Sequence, residues 1–217
     1  MTILSQAEYK NDFDINKESS EKAEKALHYA LDIRKFEIGL YWQRAAYFWT
    51  LIGASFAGYI AILSAMHLDN KPLMAFMLSC IGFVFTFAWF QVNRGSKYWQ
   101  ENWENHVDML EDSVIGPLYK TVLHRPATKS ILENCITGPM AISASKTNQI
   151  VSLFTLILWI VLAFYSIYIS YQSVLYYIGE GAVGLITVIF FLLLLFGNKT
   201  HQGSYRHVAE KRKTEII

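Results

Sequence analysis

The chain has 217 residues, of which 53% are hydrophobic and only 17% are charged. This places the chain on the membrane side of ordinary protein composition. The net charge of +1 gives no indication of a partner, because acidic residues accompany the basic ones in the same segments, and no nucleic-acid partner is expected.

Four stretches that are almost free of Lys, Arg, Asp and Glu divide the chain. They cover residues 45–67, 73–93, 149–172 and 174–197, and Glu180 is the single charged residue within them. Each is long enough to cross about 30 Å of hydrocarbon at about 1.5 Å per residue. Because lipid cannot satisfy exposed backbone groups, the stretches are expected to be helices. The sequence therefore predicts an all-α, polytopic membrane protein with four transmembrane helices and amphipathic helical cytosolic extensions.

The basic residues are distributed unevenly around these spans. Segments 1–44, 94–148 and 198–217 hold seven, six and five of the nineteen Lys and Arg residues, and only Lys71 lies on the other side. Since cytosolic loops carry the excess of basic residues, both termini and the central loop are predicted to be cytosolic. We expect the protein in the bilayer of a bacterial cytoplasmic (inner) membrane.

In chain order the sequence divides into five predicted segments. These are a cytosolic N-terminal segment with an amphipathic helix (1–44), a first transmembrane hairpin (45–93), a cytosolic helical loop (94–148), a second transmembrane hairpin (149–197) and a basic cytosolic tail (198–217). Residues 1–17 carry no apolar period and are expected to be loosely ordered.

The segment before the first span carries a helix signal. Ser19 or Ser20 is a candidate N-cap, and acidic residues follow in the first turn, where the helix dipole favours anions. No proline interrupts residues 21–44. The helix is therefore expected to run into the first span, with Gly39 as a candidate bend.

The second span is also predicted to continue beyond the membrane, until Gly116 and Pro117 end the helix. Its acidic residues, among them Glu111, are expected on the face opposite the apolar stripe. That stripe consists of residues spaced by four, four and three, namely Trp99, Trp103, Val107 and Leu110. Trp99 and Trp103 are candidate self-association residues, and an ordinary packing core within the chain is the alternative.

The rest of the central loop predicts one or two short helices, for instance over residues 128–135. Ser143 or Ser145 is a candidate cap for the third span. Cys80 and Cys135 face no oxidising compartment in this topology, so no disulfide is expected.

The first span contains small residues spaced by four, namely Gly53, Ala57, Ala61 and Ala65. Such a face lets two helices approach closely in lipid, where dispersion contacts rather than hydrophobic burial drive association. It is a candidate self-association surface. The alternative is packing against the other spans of the same chain.

Glu180 is the one acidic residue inside an apolar stretch. A carboxylate within the membrane is by default a candidate ion or proton site. However, Glu180 lies near the external end of its span between Gly179 and Gly181, so it could instead face the membrane interface.

No catalytic residue, cofactor or metal site is predicted. His106 lies between Glu104 and Asp108, but no second His or Cys stands at ligand spacing. Catalysis usually needs a pair of tuned polar groups, and the sequence presents none. We therefore do not expect an enzyme.

Three strings carry a resemblance to a known family. They are GLYWQRAAYFW over residues 39–49, NRGSKYWQENWE over 93–104 and SKTN over 145–148. The chain resembles, from about residue 36 to 197, the RipA-type small bacterial membrane proteins. That family is described as octameric, located in the cytoplasmic membrane and linked to growth inside host cells. The resemblance implies a homo-oligomer, which in that family is an octamer, and supplies no catalytic residues.

The leading functional hypothesis is a non-enzymatic, homo-oligomeric inner-membrane protein that acts as a scaffold or pore-like assembly, in adaptation to the host-cell environment if the resemblance extends to function. One alternative is an ion channel or proton-linked transporter that uses Glu180. Another is a membrane-disrupting effector in stress or phage defence. Ion flux in liposomes would distinguish the first alternative, and toxicity on overexpression would indicate the second.

Overall fold

The computed structural model describes residues 5–17, 20–123, 138–170 and 174–199, and is all-helical there apart from turns and connections. The predicted short helix at 128–135 and Cys135 lie outside these residues. A π-helical turn, Leu193–Gly197, continues the last α-helix. The α-helices are, in order, α1 (Gln6–Asp12), α2 (Glu21–Ser64), α3 (Lys71–Val114), α4 (Ala144–Ile169) and α5 (Val174–Leu192).

Four helices are long and apolar enough to cross a membrane. They are α2, α3, α4 and the segment Tyr177–Gly197, which joins α5 to the π-helical turn. This confirms the predicted fold class and the number of spans. The membrane orientation remains a prediction.

The helices α2 and α3 are each 44 residues long. At about 1.5 Å per residue each measures roughly 66 Å, about twice the hydrocarbon thickness. About half of each helix must therefore extend beyond the bilayer, and the charged halves are the ones suited to water. We call residues 21–44 and 94–114 the stalk. The prediction that both helices continue past their spans is confirmed.

The helix ends follow their capping residues. The Ser20 side chain accepts a hydrogen bond from the Ala23 amide, and Ser143 caps α4 through the Lys146 amide. Gly116 adopts a φ of +77°, a conformation that glycine reaches without strain, just after α3 ends. Gly39 lies inside α2 without interrupting it.

The centre of the membrane bundle is α3, because α2, α4 and α5 all pack against it. Between α2, α3 and α4 lies an aromatic core built on Ile52, Trp89 and the fully buried Trp159. On another flank, Phe191 of α5 contacts the ring of Phe87 at a centroid distance of 4.7 Å. This arrangement leaves much of α5 exposed to its surroundings.

The stalk has an apolar core of its own, formed by Leu27, Ala30, Val107 and Leu110. The predicted apolar stripe on α3 is thereby confirmed at Val107 and Leu110. Burying each Leu or Val side chain is worth about 1.5–3 kcal/mol, so the core holds the two helices together outside the membrane.

The expectation of a loosely ordered start is wrong for residues 5–17. Ser5 and Glu8 form a reciprocal capping box that begins α1, and Phe13 and Ile15 pack against the stalk core. The Ser-x-x-Glu signal of a capping box is present in the sequence, but no apolar period accompanies so short a helix.

Glu111 does not lie on a solvated face, so the prediction for this residue is wrong. Its side chain is fully buried. The carboxylate accepts hydrogen bonds from the amides of Tyr119 and Lys120 at 2.6 and 3.1 Å. Glu111 therefore fastens the turn after Gly116 to the end of α3.

Candidate functional site

The three strings that carry the family resemblance meet where the stalk joins the membrane helices. Asn148 on α4 donates a hydrogen bond from Nδ2 to the Tyr41 hydroxyl at 2.7 Å. Arg44 on α2 donates from Nη1 to Ser96 Oγ on α3 at 3.1 Å. The first string therefore contacts both of the others. We call Tyr41, Arg44, Asn93, Ser96 and Asn148 the junction.

The junction is polar, and three of its five residues are buried, while Arg44 is exposed. Asn93 is 1% exposed and Ser96 is 3% exposed, and Asn93 Nδ2 has no hydrogen-bond partner among the described residues. Arg44 also lies 3.9 Å from the Glu37 carboxylate. These contacts can hold three helices in register at the end of the spans. The sequence contains a signal for these contacts, because polar residues recur at helical spacing at Asn93, Ser96 and Gln100. The apolar stripe on the same helix is the stronger pattern, so this signal was missed.

The small-residue face of α2 is not covered by the other described residues of the chain. Gly53, Ala57 and Ala61 are exposed, and a Cβ placed on Gly53 would meet nothing within 4 Å. The opposite side of α2, with Ile52 and Tyr59, packs into the bundle. Packing against the chain's own spans therefore does not account for these three residues.

Helical geometry extends this surface beyond the residues that the sequence suggested. Ala65 lies at the end of this surface, because α2 ends at Ser64 and Ala65 is its C-cap; its role in self-association stays a prediction. We call the exposed small and short polar residues on this side of the span the outer face of α2, namely Ala46, Thr50, Gly53, Ala54, Ala57, Ala61 and Ser64.

The two candidate tryptophans of the stalk differ in their surroundings. Trp103 is partly buried against the stalk core. Trp99 is 39% exposed and is not among the residues packed against that core. Trp103 is thus a packing residue within the chain, while Trp99 is available to a neighbour.

Glu180 is buried rather than facing the interface. It is 5% exposed, and its Oε1 atom has no hydrogen-bond partner within the described part of the chain. Gly184 and Thr187, one and two turns further along the same face of α5, line a cavity together with Phe76 and Cys80 of α3, so Glu180 lies on the side of α5 that faces α3. A buried carboxylate oxygen without a hydrogen-bond partner is unfavourable in hydrocarbon, and such a residue is by default a candidate functional site.

His106 belongs to an aromatic cluster on the stalk. Its Nδ1 atom lies 2.7 Å from the Tyr9 hydroxyl, and its ring lies 5.5 Å from that of Trp103. Burial lowers the pKa of His106 and raises the pKa of Tyr9. Among the described residues no group of three or more His, Cys, Asp or Glu side chains is arranged to hold a metal ion.

Comparison with curated proteins and with solved structures gives no match. A family model does match, and its description is the octameric membrane protein family. The match covers residues 24–168, more than half of the chain. It includes the junction and the outer face of α2, whereas Glu180 lies beyond it. The octameric family is thereby confirmed, while the RipA-type name stays a prediction. The chain belongs to the octameric membrane protein family.

Proposed function

We propose that the protein is a non-enzymatic, homo-oligomeric scaffold of the bacterial inner membrane, assembled as a ring through the outer face of α2. The observation that carries the proposal is that this face stays exposed along the whole span although the other side of α2 is packed. Membership of an octameric family supports a second copy of the chain as its partner.

The physical argument rests on how helices associate in lipid. Small side chains allow two backbones to approach, so that dispersion contacts and short hydrogen bonds replace contacts with lipid. A ring of identical copies needs two different surfaces on each protomer, because its contacts are heterologous. The outer face of α2 would supply one surface, and the exposed side of α5 or α4 on the next copy would supply the other.

The stalk gives such a ring a role outside the membrane. With the orientation predicted from the basic residues, the stalks would project into the cytosol around the ring axis. Trp99 on each stalk would then contact the neighbouring stalk. A ring of this kind could organise other components at the membrane or surround a pore, and a role in adaptation to the host-cell environment is the finer proposal taken from the RipA-type resemblance.

Enlarging the outer face tests the proposal. The double variant Ala57→Leu, Ala61→Leu should reduce the size of the detergent-solubilised particle, measured by light scattering, because the larger side chains keep the helices apart. The matched control is the double variant Ala57→Ser, Ala61→Ser, which changes the same two positions but keeps both side chains small, so the particle should keep its size. An unchanged particle for the leucine double variant would contradict the proposal.

A second candidate function is a proton or ion pathway that uses Glu180. It is favoured by the burial of this carboxyl and by the unpartnered Oε1 atom. Glu180→Gln should leave insertion and assembly intact but remove the pH dependence of any ion flux in liposomes. The exposed stalk residue Glu101 provides the control variant Glu101→Gln. Flux that keeps its size and pH response in Glu180→Gln would reject this function.

A further inference from the structure

A cavity of about 810 Å³ lies between α3 and the end of α5. It opens at the level where both elements finish their spans, since the second span is predicted to end at Asn93 and the fourth candidate span ends at Gly197. One wall comes from Gln91, Arg94 and Tyr98, and the other from Leu195, Phe196 and Lys199.

The cavity carries two positive charges that the described part of the chain does not neutralise. Arg94 and Lys199 take part in none of the ion pairs found among the described residues. Lys97, less than one turn further along α3, contrasts with them because it pairs with Glu101 and Glu104. None of the described residues that line the cavity is acidic. An anionic group is therefore the ligand that its charge favours.

Local contacts hold Arg94 in place. Arg94 donates one hydrogen bond from Nη1 to Gln91 Oε1 at 3.2 Å, and its guanidinium lies 5.7 Å from the centre of the Phe90 ring. Gln91 in turn donates from Nε2 to the carbonyl of Leu194 at 3.1 Å. That carbonyl belongs to the π-helical turn, a feature that often accompanies functional sites. The same glutamine thus joins the two walls and orients Arg94.

The walls of the cavity also change from charged to apolar, going from the membrane boundary into the span. Arg94 and Lys199 stand where the spans give way to the polar boundary, while Leu195 and Phe196 belong to the last apolar turn. A phospholipid has this same order, with a charged phosphate at the boundary and apolar chains beside the span. Basic pockets between membrane helices are known to bind anionic headgroups.

We propose that this cavity binds the phosphate group of an anionic phospholipid. Arg94 and Lys199 contact the phosphate oxygens, the Tyr98 hydroxyl donates a further hydrogen bond, and the acyl chains run along Leu195 and Phe196. A soluble phosphate compound would share the headgroup chemistry but would leave the apolar wall uncovered. The proposal does not depend on the proposed scaffold function.

Lipid binding by the full chain tests the site. We would titrate the detergent-solubilised protein with short-chain phosphatidylglycerol and, separately, with phosphatidylcholine, and measure each Kd by native mass spectrometry. Phosphatidylglycerol should bind more tightly. Each of Arg94→Gln and Lys199→Gln should weaken its binding by about fivefold and the double variant by about 25-fold, the effect expected for loss of one cation near a lipid surface and of two.

The matched control is Lys146→Gln, an exposed lysine at the start of α4 that does not line the cavity, and it should keep the wild-type Kd. Equal affinity for the two lipids, or wild-type affinity in the double variant, would overturn the proposal. Glycerol phosphate provides the soluble arm of the test. If it competes with phosphatidylglycerol at similar concentrations, the cavity takes a soluble phosphate and the lipid assignment is wrong.

Discussion

At the scale of single residues, Trp159 fixes how closely the membrane helices approach. Its side chain is fully buried, and the Phe56 ring stacks on it with a centroid distance of 4.0 Å. The indole also lies directly against the backbone of Gly82, where a Cβ atom would overlap it. Glycine at position 82 is therefore what allows α4 to seat its tryptophan on α3.

Gly82→Ala is expected to destabilise the fold, because the added methyl group and the indole cannot occupy the same space. Overpacking of this kind typically lowers the free energy of unfolding by about 1–3 kcal/mol. Titration with a denaturing detergent in mixed micelles measures this free energy of unfolding. The control is Gly39→Ala, where a Cβ meets nothing within 4 Å and a gain of up to about 1 kcal/mol in helix propensity is expected. Equal stability of the two variants would contradict the packing argument.

The His106 imidazole predicts a loss of stability in acid. Burial lowers its pKa below the ordinary value of 6.5, so the folded stalk favours the neutral ring. As the pH falls below about 6.5 the unfolded chain gains this proton before the folded chain does, and the free energy of unfolding decreases until the pH passes the folded pKa. This contribution is fully present above about pH 6.5.

Melting temperatures at pH 8 and pH 5 would measure this effect. His106→Phe keeps a ring in the cluster and should reduce the difference between the two melting temperatures. His28→Gln, a change at an exposed histidine of α2, should leave the difference as in the wild type. A variant His106→Phe with an unchanged difference would show that His106 is not responsible.

At the scale of elements, the stalk separates contacts within the chain from surfaces left for a neighbour. Leu27 and Val107 form its core, and Trp103 is packed beside them. Trp99 and Phe36 remain exposed, at 39% and 63%. Large aromatic side chains exposed on a segment that extends beyond the bilayer are typical of a protein–protein contact.

The two stalk tryptophans should consequently respond differently to truncation. Trp103→Ala removes packing within one chain, so it should lower thermal stability by about 3 kcal/mol or more while particle size is kept. Trp99→Ala should change particle size or salt sensitivity of the assembly with little effect on the stability of the isolated chain. Light scattering and thermal unfolding of each variant measure the two effects. If both variants lose only stability, Trp99 is also an internal contact.

Element boundaries were predictable where a local signal sets them. Charge-free stretches defined the spans, and Ser20 and Gly116 marked helix ends through capping and backbone conformation. Glu111 could not be placed, because its partners are backbone amides that come near only after the chain turns at Gly116. The helix α1 was not predicted because its seven residues are too few to show an apolar helical period.

At the scale of the whole molecule, α3 organises the bundle and each other membrane helix packs on it. Periodicity in the sequence indicates which face of a helix is apolar, but in lipid every face is apolar, so the partners could not be predicted. For the same reason the sequence did not decide whether Gly53, Ala57 and Ala61 face the chain's own bundle or its surroundings. Their exposure in the structure, together with membership of the octameric family, supports a ring of identical copies.

The mass of the intact particle tests whether the chain forms such an assembly. The full chain would be extracted from membranes, placed in nanodiscs and weighed by native mass spectrometry. Eight copies of the 24.9 kDa chain give a protein mass of about 199 kDa, and the account predicts this value. A particle that contains a single chain at concentrations where the protein is stable would contradict it.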